Sequence, residues 1–325
     1  MKTTSKLTRT ATAALLTVVA ALTLAAPAAN SWPDRSVRII APAAGSPVDI
    51  AARTIGEILS AKWKQPVIIE NRPCADNILA VQALLESRDG HTLLFVTHSA
   101  VTVNPLLHAK LPYTPADLAP ISLVVDDFLG IVSAVGTPVN SLTELVTLAR
   151  SKPGELNVYT VPGSPLLSWL AFQKRTGVST TFVHYRTPSA ALTDLSEGRI
   201  QVAVIPLAFV RGVIEGKKAK LLAVTNASRS PIMPDAPTVA EAGFPEITFG
   251  GMLGLFGPKD MPHELRRSVA ADVKAALALP EVASRLQAAG LAVRGSSPEE
   301  FSAILDQQRA HWKAIAQEHD VQPRQ

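Results

Sequence analysis

The chain has 325 residues, of which 47% are hydrophobic, 18% charged and 5% aromatic. That length exceeds one ordinary core and points to two domains, and the apolar share excludes global disorder. The formal charge of +4 is carried largely by Lys2, Lys6 and Arg9. Without them the 31 basic residues fall to 28 against 27 acidic ones, so there is no electrostatic case for a nucleic acid or an acidic membrane as partner.

Residues 1–28 read as a signal peptide. Three basic residues start it, 11–26 form an apolar stretch of small residues with Leu and Val, and Ala26-Pro27-Ala28 offers a small-x-small cleavage site. The alternative is a membrane anchor. The stretch is shorter than the roughly 17–25 residues that span a bilayer, and the cleavage motif follows at once. The expected location is therefore periplasmic, with cleavage near Ala28.

Cys74 is the one cysteine, so no intrachain disulfide forms, and it reads as a small core residue rather than a reactive thiol. No His-x3-His or Cys-x2-Cys spacing occurs, so neither a metal nor another cofactor is expected. The 25 prolines and 18 glycines argue for short turns and against a helical array, and no solenoid-period repeat is present.

In chain order, the short apolar runs 37–41, 67–70 and 92–96 suit strands buried on both faces of a parallel sheet. The stretches 50–60 and 77–87 between them read as helices, which gives a βαβ rhythm. A second set follows, with strands at 121–125, 130–135, 157–161, 181–185, 200–205 and 221–225. Helices are expected at 165–176, 189–197 and 209–215, with Gly177, Gly198 and Gly216 as C-terminal caps of positive φ. Ser141-x-x-Glu144 is a capping box. One more strand, 252–256, precedes helices at 262–279, 280–289 and 298–318, the last opened by the capping box Ser297-x-x-Glu300.

This order predicts an α/β fold of two βαβ domains, the chain crossing twice between them at a hinge. The divisions are 1–28 leader, 29–128 with 250–325 as domain I, and 129–249 as domain II. The crossings are expected near 126–132 and 247–254.

The most informative feature is a repeated turn. Gly45-Ser46-Pro47 and Gly163-Ser164-Pro165 each link a strand to a helix, one in each domain. In each, Ser is expected to cap the helix and Pro to take its first position. Asp49 stands where it completes a capping-box-like arrangement, although its charge repels a carboxylate placed very close. Such turns present unpaired amides and the positive end of a helix dipole, for which a carboxylate is a natural guest. Both tripeptides are equally compatible with ordinary helix starts. Charge-assisted hydrogen bonds contribute about 1.5–3 kcal/mol each, so four of them support roughly micromolar binding.

Several further segments carry a resemblance. They are Val37-Arg38-Ile39-Ile40-Ala41, Asp49-Ile50-Ala51-Ala52-Arg53, and the run from Gln65 to Pro73. Asp89-Gly90-His91-Thr92-Leu93, Asn104-Pro105 with Leu111-Pro112-Tyr113, and the run from Pro234 to Gly243 are among the others. In this order the chain resembles the Bug, or TctC-like, substrate-binding proteins of tripartite tricarboxylate transporters. The resemblance implies a type II-like two-domain periplasmic binding protein, two βαβ domains joined by two crossing strands around a ligand cleft and closing on a small carboxylate, held by backbone amides and water more than by salt bridges. It implies a monomer that hands its ligand to a membrane transporter, or alternatively to a membrane sensor.

Carried over by position, the implied ligand-binding residues are Pro42, Ala43, Ala44, Gly45, Ser46, Val48 and Asp49 in the first turn. Thr97 and Ser99 follow the third strand, and Thr160, Gly163 and Ser164 form the second-domain turn. Tyr185, Arg186 and Pro206 complete the set. Arg186 is the best cationic candidate for a ligand carboxylate, and His98 reads as a ligand donor or a plain loop histidine. The family's glycines are replaced at Cys74 and Asp76, and only one glycine, Gly45, remains in the first turn. Ile205, where relatives carry a polar residue, favours a simple or aromatic acid over an amino acid. An exported α/β hydrolase is the rival class, but no Gly-x-Ser-x-Gly elbow exists and no catalytic residue is assigned.

Overall fold

A computed structural model describes residues 32–73, 75–161, 163–185 and 187–323. The chain divides into a unit 1–35, of which 32–35 are described, and a unit 36–325 whose fold follows. The expected leader, Cys74 and Arg186 lie outside the described residues.

Two successive βαβ units open the fold: β1 Val37–Ala41, α1 Pro47–Trp63, β2 Val67–Asn71, α2 Ile78–Ser87 and β3 Thr92–Thr97. β1 lies between β2 and β3 and is parallel to both, with Ile39 opposite Ile69 and Leu93. Its run of Ile39, Ile40 and Ala41 is fully buried, as a strand covered by helices on both faces requires. Two short helices follow, α3 Ser99–Thr102 and α4 Asn104–Leu107, before β4 Leu118–Asp127 and β5 Leu129–Ala134.

The middle of the chain supplies α5 Leu142–Ser151, β6 Asn157–Thr160, α6 Ser164–Thr176, β7 Thr181–Phe182, α7 Pro188–Ser196, β8 Val202–Pro206, α8 Leu207–Glu215 and β9 Ala219–Val224. It then returns through β10 Gly251–Pro258, α9 His263–Leu277, α10 Pro280–Ala288, β11 Leu291–Val293 and α11 Pro298–Glu318. The strand orders are β11-β4-β10-β3-β1-β2 and β7-β6-β8-β5-β9.

The sheets are mixed rather than purely parallel. β10 runs antiparallel to both β3 and β4, and β5 runs antiparallel to β8 and β9. Continuous apolar runs signal burial on both faces, and that burial arises equally for an antiparallel strand inserted at the centre of a covered sheet. Two local expectations also change. Gly216 caps α8 at φ −74, and Lys217 takes the left-handed turn instead at φ 56. At α5 the Ser141 hydroxyl accepts from Glu144 N, but the Glu144 carboxylate reaches Asn140 N rather than Ser141 N.

The insertion of β10 decides where the lobes meet. Only Phe128 separates β4 from β5, so the chain steps from one sheet to the other in a single residue. The return passes Asn226, which binds the first crossing with both ends of its amide. Its Nδ2 donates to Asp127 O at 3.0 Å, and its Oδ1 accepts from Leu129 N at 3.1 Å. α11 then runs past both sheets. Phe301 and Leu305 pack with Val96 and Phe256, while Trp312 packs with Trp169 and edge-on to Phe249 at 5.9 Å.

Gly254, at the centre of β10, lies under the Phe301 ring, and a Cβ there would overlap that ring and Phe256. Gly254→Ala is expected to destabilise the protein by about 1–3 kcal/mol, read as a fall in the thermal midpoint. A midpoint shift under 1 °C would contradict this packing.

Candidate ligand cleft

The topology aims the carboxyl ends of the parallel strands at one groove. β1, β2 and β3 end at the edge where β4 ends and β10 begins, since Gly251 pairs with Asp127 and Leu253 with Thr97. In the second sheet β6 and β8 are parallel and end beside the start of β5, with Pro206 opposite Leu129. The loops that follow these strands therefore flank the crossing, where ligands bind in open α/β sheets.

The first turn is built on Asp49. Ser46 caps α1, accepting from Asp49 N at 3.2 Å, and its hydroxyl donates to Ala43 O at 2.7 Å. The Asp49 carboxylate accepts from Gly45 N at 2.9 Å, Arg53 Nε at 3.0 Å and Asn71 Nδ2 at 2.8 Å. Burial works to raise its pKa, but these donors hold it below the ordinary carboxylate value. Asp49 thus organises the turn, and the Gly45 amide is already taken. Ala43, Ala44 and Gly45 are exposed, Pro42 is half-buried and Val48 is buried. The amides of Ala44 and Val48 find no partner among the described residues.

The turn after β3 sits next to it. Thr97 Oγ1 accepts from Asn77 Nδ2 at 3.1 Å, and Ser99 opens α3. His98 lies in this turn and is buried. It is 1% exposed, Nδ1 lies 3.0 Å from Thr102 Oγ1, and burial pushes it down to about 4, opposed by the Gly250 carbonyl.

The second-domain turn departs from expectation. Gly163, not Ser164, is the N-cap of α6, and it holds φ 92, ψ −139 with no side-chain cap. Ser164 is the first helical residue and Pro165 the second, so the Ser164 hydroxyl faces Ser99 Oγ at 3.5 Å instead of capping. This juxtaposition brings the two lobes together. A Cβ on Gly163 would lie 3.1 Å from Ser99 Oγ.

Beside this contact lies a small cavity of about 40 Å³. Thr160, Gly163, Leu166, Phe182, Val183 and His184 line it from the second lobe, and Asp76, Leu107 and His108 from the first. Of the expected site residues it gathers Thr160 and Gly163. The first-turn residues do not line it. Tyr185 Oη donates to Asp194 Oδ2 at 2.5 Å and its ring packs edge-on to Tyr159. Pro206 ends β8 and is buried. His108, Phe182 and His184 were not anticipated. Asp76 carried one signal, an acid where the resembled family has glycine.

No group of three or more potential metal ligands occurs among the described residues, and none of their helices is long and apolar enough to cross a membrane. The fold is that of a two-domain periplasmic binding protein. A UPF0065 protein of Bordetella bronchiseptica is 31% identical over 95% of this chain and 93% of its own length. The R. palustris protein Rpa4515 with adipate is 29% identical with a TM-score of 0.82, over 90% of this chain and 100% of that one. MatC from Rhodopseudomonas palustris with bound malate is 26% identical with a TM-score of 0.78, over 87% and 99%. Residues 51–321 match the family described as the tripartite tricarboxylate transporter family receptor, and the chain belongs to that family of solute receptors.

Proposed function

We propose that the protein is a periplasmic receptor that traps a small carboxylate between its lobes and delivers it to the membrane component of a tripartite transporter. The lobes are 29–128 with 250–325, and 129–249. The protein works as a monomer after its leader is removed. The observation that supports this most is the meeting of Ser99 with Gly163 and Ser164 across the lobes, with the amides of Gly163 and Ser164 taking no hydrogen bond among the described residues. Open amides at a helix start favour an anion, and adipate and malate occupy the related receptors. The carboxylate then lies against Ser99, Gly163 and Ser164, with Ala44 and Val48 of the neighbouring turn closing on it. Thr160 faces its chain. No covalent step is needed: the ligand favours the closed arrangement because only there do both lobes bind it.

Titration calorimetry of the purified protein against mono-, di- and tricarboxylates tests this. At least one acid is expected to bind with a Kd of roughly 1 μM, about −8 kcal/mol. No heat with any acid would overturn the reading.

A further inference from the structure

We infer that Asp76 makes the cavity beside Gly163 selective for an acid whose far end carries a hydrogen-bond donor, a hydroxyl or an ammonium, and turns away a second carboxylate. The inference rests on the proposed carboxylate function and adds the chemistry of the ligand's other end.

Asp76 stands in a backbone conformation that argues for a purpose. Both Asp76 (φ 56) and Asn77 (φ 69) are left-handed, which costs about 1 kcal/mol or more for a residue with a Cβ. The surroundings hold the strained pair in place. Asn104 Nδ2 donates to Asp76 O at 2.7 Å and is itself 3.0 Å from Tyr113 Oη, while Asn77 Nδ2 donates to Thr97 Oγ1. The Asp76 side chain is fixed as well: Oδ2 lies 2.7 Å from His108 Nε2. A strained residue so firmly held, lining a cavity between lobes, is a functional position rather than a turn residue.

The chemistry of the cavity follows from what is left over. His108 Nε2 is engaged by Asp76, so it is not offered to a ligand. Asp76 Oδ1 accepts no hydrogen bond from any described residue. None of the described residues lining the cavity is Lys or Arg, and Leu107, Leu166, Phe182 and Val183 make its walls apolar. Those apolar walls suit the carbon body of an acid, which enters as the lobes part. A carboxylate at its end would face Asp76 with no described Lys or Arg beside it and with His108 Nε2 already taken by Asp76, and like charges in a partly dry site repel. A hydroxyl or ammonium would instead donate to Oδ1, and a hydrogen bond to a charged acceptor is among the stronger ones.

The test compares chain-matched acids by calorimetry on the wild-type protein, Asp76→Asn and Asp76→Gly. Succinate is set against 4-hydroxybutanoate and 4-aminobutanoate, and adipate against 6-hydroxyhexanoate and 6-aminohexanoate. The wild type is expected to prefer a donor-tailed acid to its diacid by at least tenfold in one set. The stronger of the two tails names the donor. Both variants are expected to lose that preference, with the diacid gaining affinity. Glycine relieves the left-handed strain, so Asp76→Gly folds at least as stably, which a thermal midpoint checks. A wild type that prefers the diacid, or a ratio unchanged in both variants, overturns the selectivity and leaves the receptor reading standing. No binding of any acid by any of the three proteins overturns both.

Discussion

Replacing Gly163 by alanine is expected to weaken carboxylate binding about thirtyfold, or about 2 kcal/mol, and to lower stability by about 1–3 kcal/mol. The two effects have separate causes. Gly163 holds φ 92, ψ −139, a region open in practice only to glycine, where a side chain costs about 1–3 kcal/mol. The new Cβ would also stand 3.1 Å from Ser99 Oγ and 3.2 Å from Ser99 Cβ, atoms of the opposite lobe. The unliganded protein can relieve that contact by opening, but the bound state cannot. The penalty therefore falls on affinity, and it should show as faster ligand release. Gly45→Ala is the matched control. Gly45 also has positive φ, at 73, but nothing lies within 4 Å of its Cβ position. It bears the strain without the wedge, so its effect should be several-fold smaller. Equal affinities for wild type and Gly163→Ala, by calorimetry, would mean that this contact plays no part in closure.

The difference between these two glycines shows what the sequence carried and what it did not. The Gly-Ser-Pro repeat was legible as two strand-to-helix turns, and both turns exist. In the first, Ser46 caps as its type and spacing require. In the second, the same tripeptide shifts by one residue, because Gly163 takes a conformation that lets it serve as the cap itself. Local pattern cannot distinguish the two, since the choice is made by Ser99, which lies 65 positions from Ser164. Asp49 gives the same lesson. Its place after Ser46 announced a capping acid, but its partners Asn71 and Arg53, which hold the carboxylate in the turn, were not visible there.

The longer helices were readable because their apolar spacing, prolines and caps agree. α11 matches its expected span because Ser297 and Glu300 form a complete capping box. The insertion of β10 between β3 and β4 was not readable. Strand order is set by which faces remain to be covered once distant segments meet, and five apolar residues do not encode their neighbours. The pairing of Asp76 with His108, 32 residues apart, is hidden for the same reason. The one visible trace was chemical, an acid in place of glycine.

Two buried titratable groups at the crossing lead to the other large effect. Asp127, on β4, is 6% exposed, and its Oδ1 has no hydrogen-bond partner among the described residues. Burial first, and the neighbouring Asp126 charge second, raise its pKa to about 7. Asp126 is itself raised by burial and partly compensated by Arg294 at 3.4 Å. His98, at the end of β3 on the other side of β10, is lowered to about 4. The two act on stability in opposite directions. The folded state holds a proton on Asp127 that the unfolded chain has released above about pH 4, so this residue makes stability fall as pH rises towards 7. The folded state keeps His98 neutral where the unfolded chain binds a proton below about 6.5, so this residue makes stability rise with pH over the same window. Between pH 5 and 8 these two contributions are about −3 and +2 kcal/mol and largely offset each other. Asp127→Asn removes the falling term alone. Its stability in urea is expected to rise by about 2 kcal/mol from pH 5 to 8, overtaking the wild type in the basic half of the range. The asparagine amide must find its own partner, which costs about 1 kcal/mol at every pH and leaves the slope untouched. A variant whose stability follows pH with the same slope as the wild type's would show that Asp127 is ionised in the folded protein throughout, and that the crossing admits water.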